Sequence, residues 1–114
     1  MALTKNMVQE QMAKGALVIN VLDLKAFADL HIKGSVNVPL KGKSDEEFAK
    51  EVGKLVTKDR MVITHCTNVN CGLGPRAAQI LKARGFAAED YPGGIEEWFY
   101  SGLPVDGKMP AAHS

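Results

Sequence analysis

The feature that most constrains this chain is an alternation. Two short apolar runs rich in β-branched residues, at 16–21 and 61–65, and a third candidate strand at 86–91 are separated by segments whose apolar residues recur at helical spacing. Strands alternating with helices through short connections pack as a mostly parallel sheet with helices on both faces. The fold class expected is therefore α/β. With 114 residues there is room for one core of normal size, so residues 1–114 read as a single domain. Its first ~14 residues form an N-terminal helix and its last ~8 a tail.

Local signals place the other elements. Thr4 is a candidate N-cap, with Met7, Val8, Gln11 and Met12 following and Gly15 as the stop. Residues 24–30 read as a helical turn. The segment 31–39 turns at Gly34 and gives a second short strand ending at Pro39. Ser44 and Glu47 have the spacing of a capping box, and Phe48, Val52, Leu55 and Val56 form the expected buried stripe of the helix that follows. A helix from Pro75 ends at Gly85, and Pro92-Gly93-Gly94 separates the strand at 86–91 from a last short helix at 95–101.

Composition removes several function classes. The chain is 46% hydrophobic, too apolar for a disordered tail. No apolar run approaches the ~20 residues of a membrane span, and the first 20 residues lack the continuous apolar segment and cleavage site of a secretory signal. A cytoplasmic protein with no membrane partner is expected. Lys and Arg number 14 against 13 Asp and Glu, a net +1 with no basic stripe, so no nucleic-acid partner is expected.

The two cysteines, Cys66 and Cys71, carry the chemistry. In open α/β sheets ligands bind beyond the carboxyl ends of the strands. Cys66 stands there, between the strand at 61–65 and the helix from Pro75. Backbone N–H groups of a curved loop, with the helix N-terminus behind them, can converge on such a sulfur and lower its pKa. The residues expected to supply that cradle are Thr67, Asn68, Val69, Asn70, Cys71 and Gly72. An inert cysteine closing a strand fits the same position.

Four segments together resemble the rhodanese-like family of single-domain sulfurtransferases. They are HIKGSVNVP (31–39), VITHC (62–66), AAQILKARGF (77–86), and PGGIEEW (92–98) with GLPV (102–105). The likeness runs from about residue 16 to 105, and the Cys66-x4-Cys71 spacing is similar to a subset with a two-cysteine loop. The resemblance implies a rhodanese-like fold and sulfur transfer. Cys66 would take sulfane sulfur from a small donor (thiosulfate, polysulfide or persulfide) as a persulfide and pass it to cyanide or a thiol, a protein thiol included. No metal or organic cofactor is implied. The chain departs from the family pattern in two places. Leu73 stands where a loop arginine is expected, and Asn20-Val21-Leu22 stands where Asp-Val-Arg is usual.

Cys71 has three readings: a resolving thiol that forms a disulfide with Cys66, a holder of a second sulfur, or a structural passenger. Arg76 is either a steering group for an anionic donor or a solvated first-turn residue. His65 is expected to face away from Cys66 in a structural role, His31 to pack in a turn, and His113 to lie in the tail. Two further functions compete. One is a non-enzymatic or redox-sensing binding module using Cys66 and Cys71. The other is a phosphatase or arsenate reductase, which requires an arginine clamp reaching into the loop; the sixth residue after Cys66 is Gly72. The sequence leaves the oligomeric state open.

Overall fold

A computed structural model of the chain describes residues 2–108. His113 lies outside the described residues. In chain order the elements are α1 (Lys5–Ala13), β1 (Leu17–Asn20), α2 (Leu24–Asp29), β2 (His31–Ile32), β3 (Val36–Asn37), α3 (Asp45–Gly53), β4 (Val62–His65), α4 (Leu73–Ala83), β5 (Ala88–Asp90), α5 (Gly94–Tyr100) and β6 (Val105–Asp106). Four strands form a parallel sheet in the order β3-β1-β4-β5, with Leu17 opposite Val62 and Asn20 opposite His65 in the central pair.

The period-2 pleat divides the core into two layers. Leu17, Ile19 and Val21 of β1 and its extension join Val62 of β4 in packing against Phe48 and Val52 of α3 and Ala77 and Leu81 of α4. Val18 and Ile63 point the other way, toward Val8 of α1, Ile32 of β2 and Ile95 and Trp98 of α5. The sheet is thus covered on both faces, and its strand ends are free to carry a site.

The helix starts follow their sequence signals. Thr4 accepts a hydrogen bond from the Met7 amide, and Ser44 and Glu47 close a reciprocal capping box. Four expectations are corrected. Leu55 is 49% exposed because α3 ends at Gly53, so the last positions of the expected stripe fall in a turn and only Val56 folds back onto the core. The segment 31–39 holds two strands: β2 leaves the main sheet and pairs antiparallel with β6, while β3 joins β1. The strand expected at 86–91 is confined to Ala88–Asp90. Helix α4 begins at Leu73, two residues before Pro75. Pro75 is therefore its third residue, still among the first four whose N–H groups have no helical partner.

Candidate active site around Cys66 and Cys71

Cys66 follows β4 directly, and its backbone is held from three sides. Its carbonyl accepts from the Ile95 amide of α5 at 3.0 Å and from His65 Nδ1–H at 3.0 Å. The Thr67 carbonyl accepts from the Glu96 amide at 3.0 Å. Thr64 Oγ1 donates to the Gly74 carbonyl at 2.8 Å, which ties the strand to the first turn of α4. The first turn of α5 thus grips the start of the loop, and the close approach requires Gly94. A Cβ there would stand 2.4 Å from the Cys66 oxygen and 2.6 Å from the Thr67 oxygen.

Between these anchors the loop closes on itself. The Asn70 amide donates to Asn68 Oδ1 at 2.9 Å and the Cys71 amide to the Asn68 carbonyl at 3.1 Å. Asn68 Nδ2 donates to Glu96 Oε2 at 3.2 Å. Val69, at the tip, is exposed and walls a cleft of about 470 Å³ with Leu3, Pro92, Gly93 and Glu97.

The cradle differs from the one expected. The Asn70 and Cys71 amides are used within the turn. The N–H groups that favour an anion on sulfur are those of Thr67 and Gly74 for Cys66, and of Leu73, Thr67 and Gly74 for Cys71. Leu73 and Gly74 serve because α4 starts early: they are its first two residues, whose N–H groups point out of the helix. Both sulfurs therefore draw on one set of donors.

The expected low-pKa thiolate at Cys66 is corrected by this sharing. Cys66 is 3% exposed, and its thiol donates to the Cys71 carbonyl at 3.3 Å. Burial, together with its hydrogen bond to Cys71, pushes Cys66 up to about 11. Cys71 is less buried. Burial works against its thiolate too, but the hydrogen bond from Cys66 and the three amides outweigh it, and its pKa falls below the usual thiol value. Of the two sulfurs, Cys71 is therefore the one on which a thiolate is favoured.

The remaining candidates fall outside the cradle. Arg76 points to α3, where its Nη2 meets Asp45 Oδ1 at 3.2 Å on the surface. A clamp for a dianion, the requirement of the phosphatase reading, is not assembled by it. His65 lies on the opposite face of the sheet from Cys66, fully buried, and burial takes its pKa down to about 4. His31 stacks on Phe27 with ring centroids 3.9 Å apart. Trp98 is buried and donates from Nε1 to the Pro104 carbonyl. Among the described residues no group of three or more His, Cys, Asp or Glu side chains is placed to hold a metal, and no helix is long and apolar enough to cross a membrane.

Asp90 carries no motif in the sequence, although an acid at the carboxyl end of a strand in this fold class is a usable signal. Its Oδ1 is buried without a hydrogen-bond partner and packs on Gly74, where a Cβ would approach it to 2.5 Å. Burial raises the Asp90 pKa from 3.8 to about 6, and the Tyr91 amide offsets this only in part. The folded state thus binds more protons than the unfolded one between these values. Stability falls as pH rises through that window, and the whole cost is present above it. Asp90→Asn is expected to stabilise the domain by about 1 kcal/mol at neutral pH, a figure reduced for solvent screening of a partly buried group. The gain should vanish near pH 4 or below. Denaturant unfolding of both proteins at the two pH values checks this, and an equal difference at both would contradict it.

A family model for the rhodanese-like domain matches residues 4–100. The chain belongs to the rhodanese-like domain family. Solved structures agree on the fold. The BH2092 protein of Bacillus halodurans superposes with a TM-score of 0.82 at 24% identity, over 96% of this chain and 79% of that one. The rhodanese-like domain of the Anabaena Alr3790 protein gives 0.77 at 18% identity, over 99% and 83%. A rhodanese-related protein of Thermoplasma volcanium gives 0.72 at 24%, over 92% and 96%. A curated relative, the HTH-type transcriptional regulator Rv0324 of Mycobacterium tuberculosis, is 32% identical over 83 residues. These make up 73% of this chain and 34% of the regulator, so this rhodanese-like domain matches about a third of that protein.

Proposed function

We propose that this rhodanese-like domain is a sulfurtransferase that holds sulfane sulfur on Cys66 as a persulfide between a small donor and a thiol or cyanide acceptor. The observation that carries the reading is the place of Cys66 directly after the carboxyl end of β4, where the Thr67 and Gly74 amides favour an anion on its sulfur. Such donors stabilise an anionic sulfur more effectively than water does, because they are fixed in advance of the reaction. A persulfide extends the side chain by one sulfur and moves the charge outward from the buried Sγ. Cys66 can therefore be protonated at rest and still carry an anion when loaded.

The test is intact-mass spectrometry of the reduced chain after incubation with thiosulfate, and separately with polysulfide. Cys66→Ser and Cys71→Ser are run alongside. A gain of about 32 Da in the wild-type chain that is still reached in Cys71→Ser, where Cys66 is the one thiol left, supports the carrier thiol. Absence of any gain with either donor overturns the reading.

A redox-sensing or binding module is the second reading. What favours it is the pairing of the two thiols, together with the regulator among the relatives. Its signature is a loss of about 2 Da, abolished by either substitution, without sulfur gain.

A further inference from the structure

The sulfurtransferase reading names the sulfur that stores the persulfide. The arrangement of the loop also bears on which sulfur receives it first, and this inference rests on that reading. Cys66 is almost wholly covered, and its thiol proton is engaged by the Cys71 carbonyl. Cys71 lies further out on the same loop and is partly open to solvent, and the amides of Leu73, Thr67 and Gly74 favour an anion on its sulfur. An incoming donor therefore meets the Cys71 sulfur before that of Cys66. Cys66 Sγ also stands 3.3 Å from the Cys71 carbonyl oxygen, so a sulfur atom bound to one side chain lies within reach of the other. We propose that Cys71 is a catalytic nucleophile that takes sulfane sulfur from a persulfide donor and relays it to Cys66 within the shared cradle.

The relay balances without an added oxidant or reductant. The Cys71 thiolate attacks the terminal sulfur of a donor R–S–SH. The donor S–S bond breaks, its electron pair leaves on R–S, and the proton of the transferred sulfur passes to that thiolate. The products are R–SH and a Cys71 persulfide anion. Cys66 Sγ then attacks the terminal sulfur held on Cys71. The bond between that sulfur and Cys71 breaks, with the pair returning to Cys71 as thiolate, and the Cys66 proton passes to the transferred sulfur. The Cys66 persulfide is formed, the Cys71 thiolate is regenerated, and the sulfane sulfur keeps its oxidation state throughout. The protonation pattern suits both steps. A thiolate is favoured on the accessible sulfur that must attack first, where its thiolate fraction sets the rate. The covered thiol holds the proton that the second step consumes.

The experiment is a rapid-quench time course of the full chain with cysteine persulfide as probe, alkylation, digestion, and peptide mass spectrometry. Trypsin leaves both cysteines on one peptide, residues 61–76, so fragmentation between Cys66 and Cys71 locates the added sulfur. Sulfur is expected on Cys71 early and on Cys66 later. In Cys66→Ala it should stall on Cys71. In Cys71→Ala, and equally in Cys71→Ser, loading of Cys66 should slow by at least about tenfold. Cys66 loading at the wild-type rate in both Cys71 variants overturns the relay and leaves the sulfurtransferase reading intact. The relay is equally overturned, with that reading again intact, if Cys66→Ala never shows sulfur on Cys71. Failure of the wild-type chain to take up sulfur at all overturns both.

Discussion

Replacing Gly94 by alanine is expected to destabilise the domain by about 3 kcal/mol, lowering its Tm by roughly 12 °C, and to slow sulfur loading roughly a hundredfold. Two effects act together. Gly94 has φ +63°, a left-handed conformation unfavourable for a residue with a Cβ. The added methyl would also overlap the Cys66 and Thr67 carbonyl oxygens at 2.4 and 2.6 Å, and both are backbone atoms with no rotamer to adopt. Relief requires separating α5 from the loop, which breaks the bonds from the Ile95 and Glu96 amides. The Thr67 peptide then loses the orientation that aims its N–H at sulfur. Gly72→Ala is the control. Gly72 has an ordinary φ of −83° and open space where a Cβ would go, so stability should change by no more than about 0.5 kcal/mol. Thermal unfolding and the rate of the 32 Da gain, measured on both variants, decide between these outcomes. A Gly94→Ala protein with normal Tm and normal loading would show that the α5 contact does not organise the site.

The same contact shows what the sequence makes legible. The Pro92-Gly93-Gly94 segment stands out as a break between strand and helix, and the resemblance to the family marks it as a motif. Its role as the clasp on the Cys66 carbonyl depends on α5 folding back over the end of β4, which no local pattern states. Where the cause is local, sequence and structure agree. Ser44 and Glu47 form their box because both partners lie within one turn. The apolar runs of β1 and β4 become buried central strands because both faces of the sheet are covered. Leu55 fails because the apolar stripe continues past the point where α3 stops. The pairing of β2 with β6 is illegible for the opposite reason: two-residue strands seventy-odd positions apart carry no period at all.

At the site, the position of Cys66 is legible in the sequence and its protonation is not. A strand ending in cysteine before a helix predicts N–H donors near sulfur, and the donors are there. The sign of the pKa change turns on two facts of packing. One is that Cys66 is covered. The other is that Cys71 returns to the same amides, so that the cradle holds one anion and the more open sulfur takes it. Asp90 is hidden in a segment whose pattern speaks only of an apolar strand. It is the packing of its carboxyl on Gly74 that relates it to the loop.

Thiosulfate is expected to load the domain at least about tenfold more slowly than cysteine persulfide at equal concentration, and Gly72→Arg is expected to recover most of that difference. Charge is the reason. Residues 66–74 contain no basic side chain, Arg76 is paired to Asp45, and Glu96 and Asp90 are the acids that touch the loop. A dianion approaching these amides meets no counter-charge from residues 66–74 themselves, whereas a persulfide brings one negative charge or none. A charge-assisted hydrogen bond contributes about 1.5–3 kcal/mol, which is a rate factor of roughly ten to a hundred if it is made in the transition state. Gly72 is the place to supply it. It lies six residues after Cys66 at the N-terminus of α4, its backbone suits any residue, and a side chain there projects into open space. The arginine should therefore leave the fold and the persulfide rate nearly unchanged while raising the thiosulfate rate. Parallel loading curves for the two donors, on wild type and Gly72→Arg, give the ratio directly. Equal rates for both donors on the wild-type chain would mean that the amides alone accommodate a dianion, and that the missing loop cation does not govern donor choice.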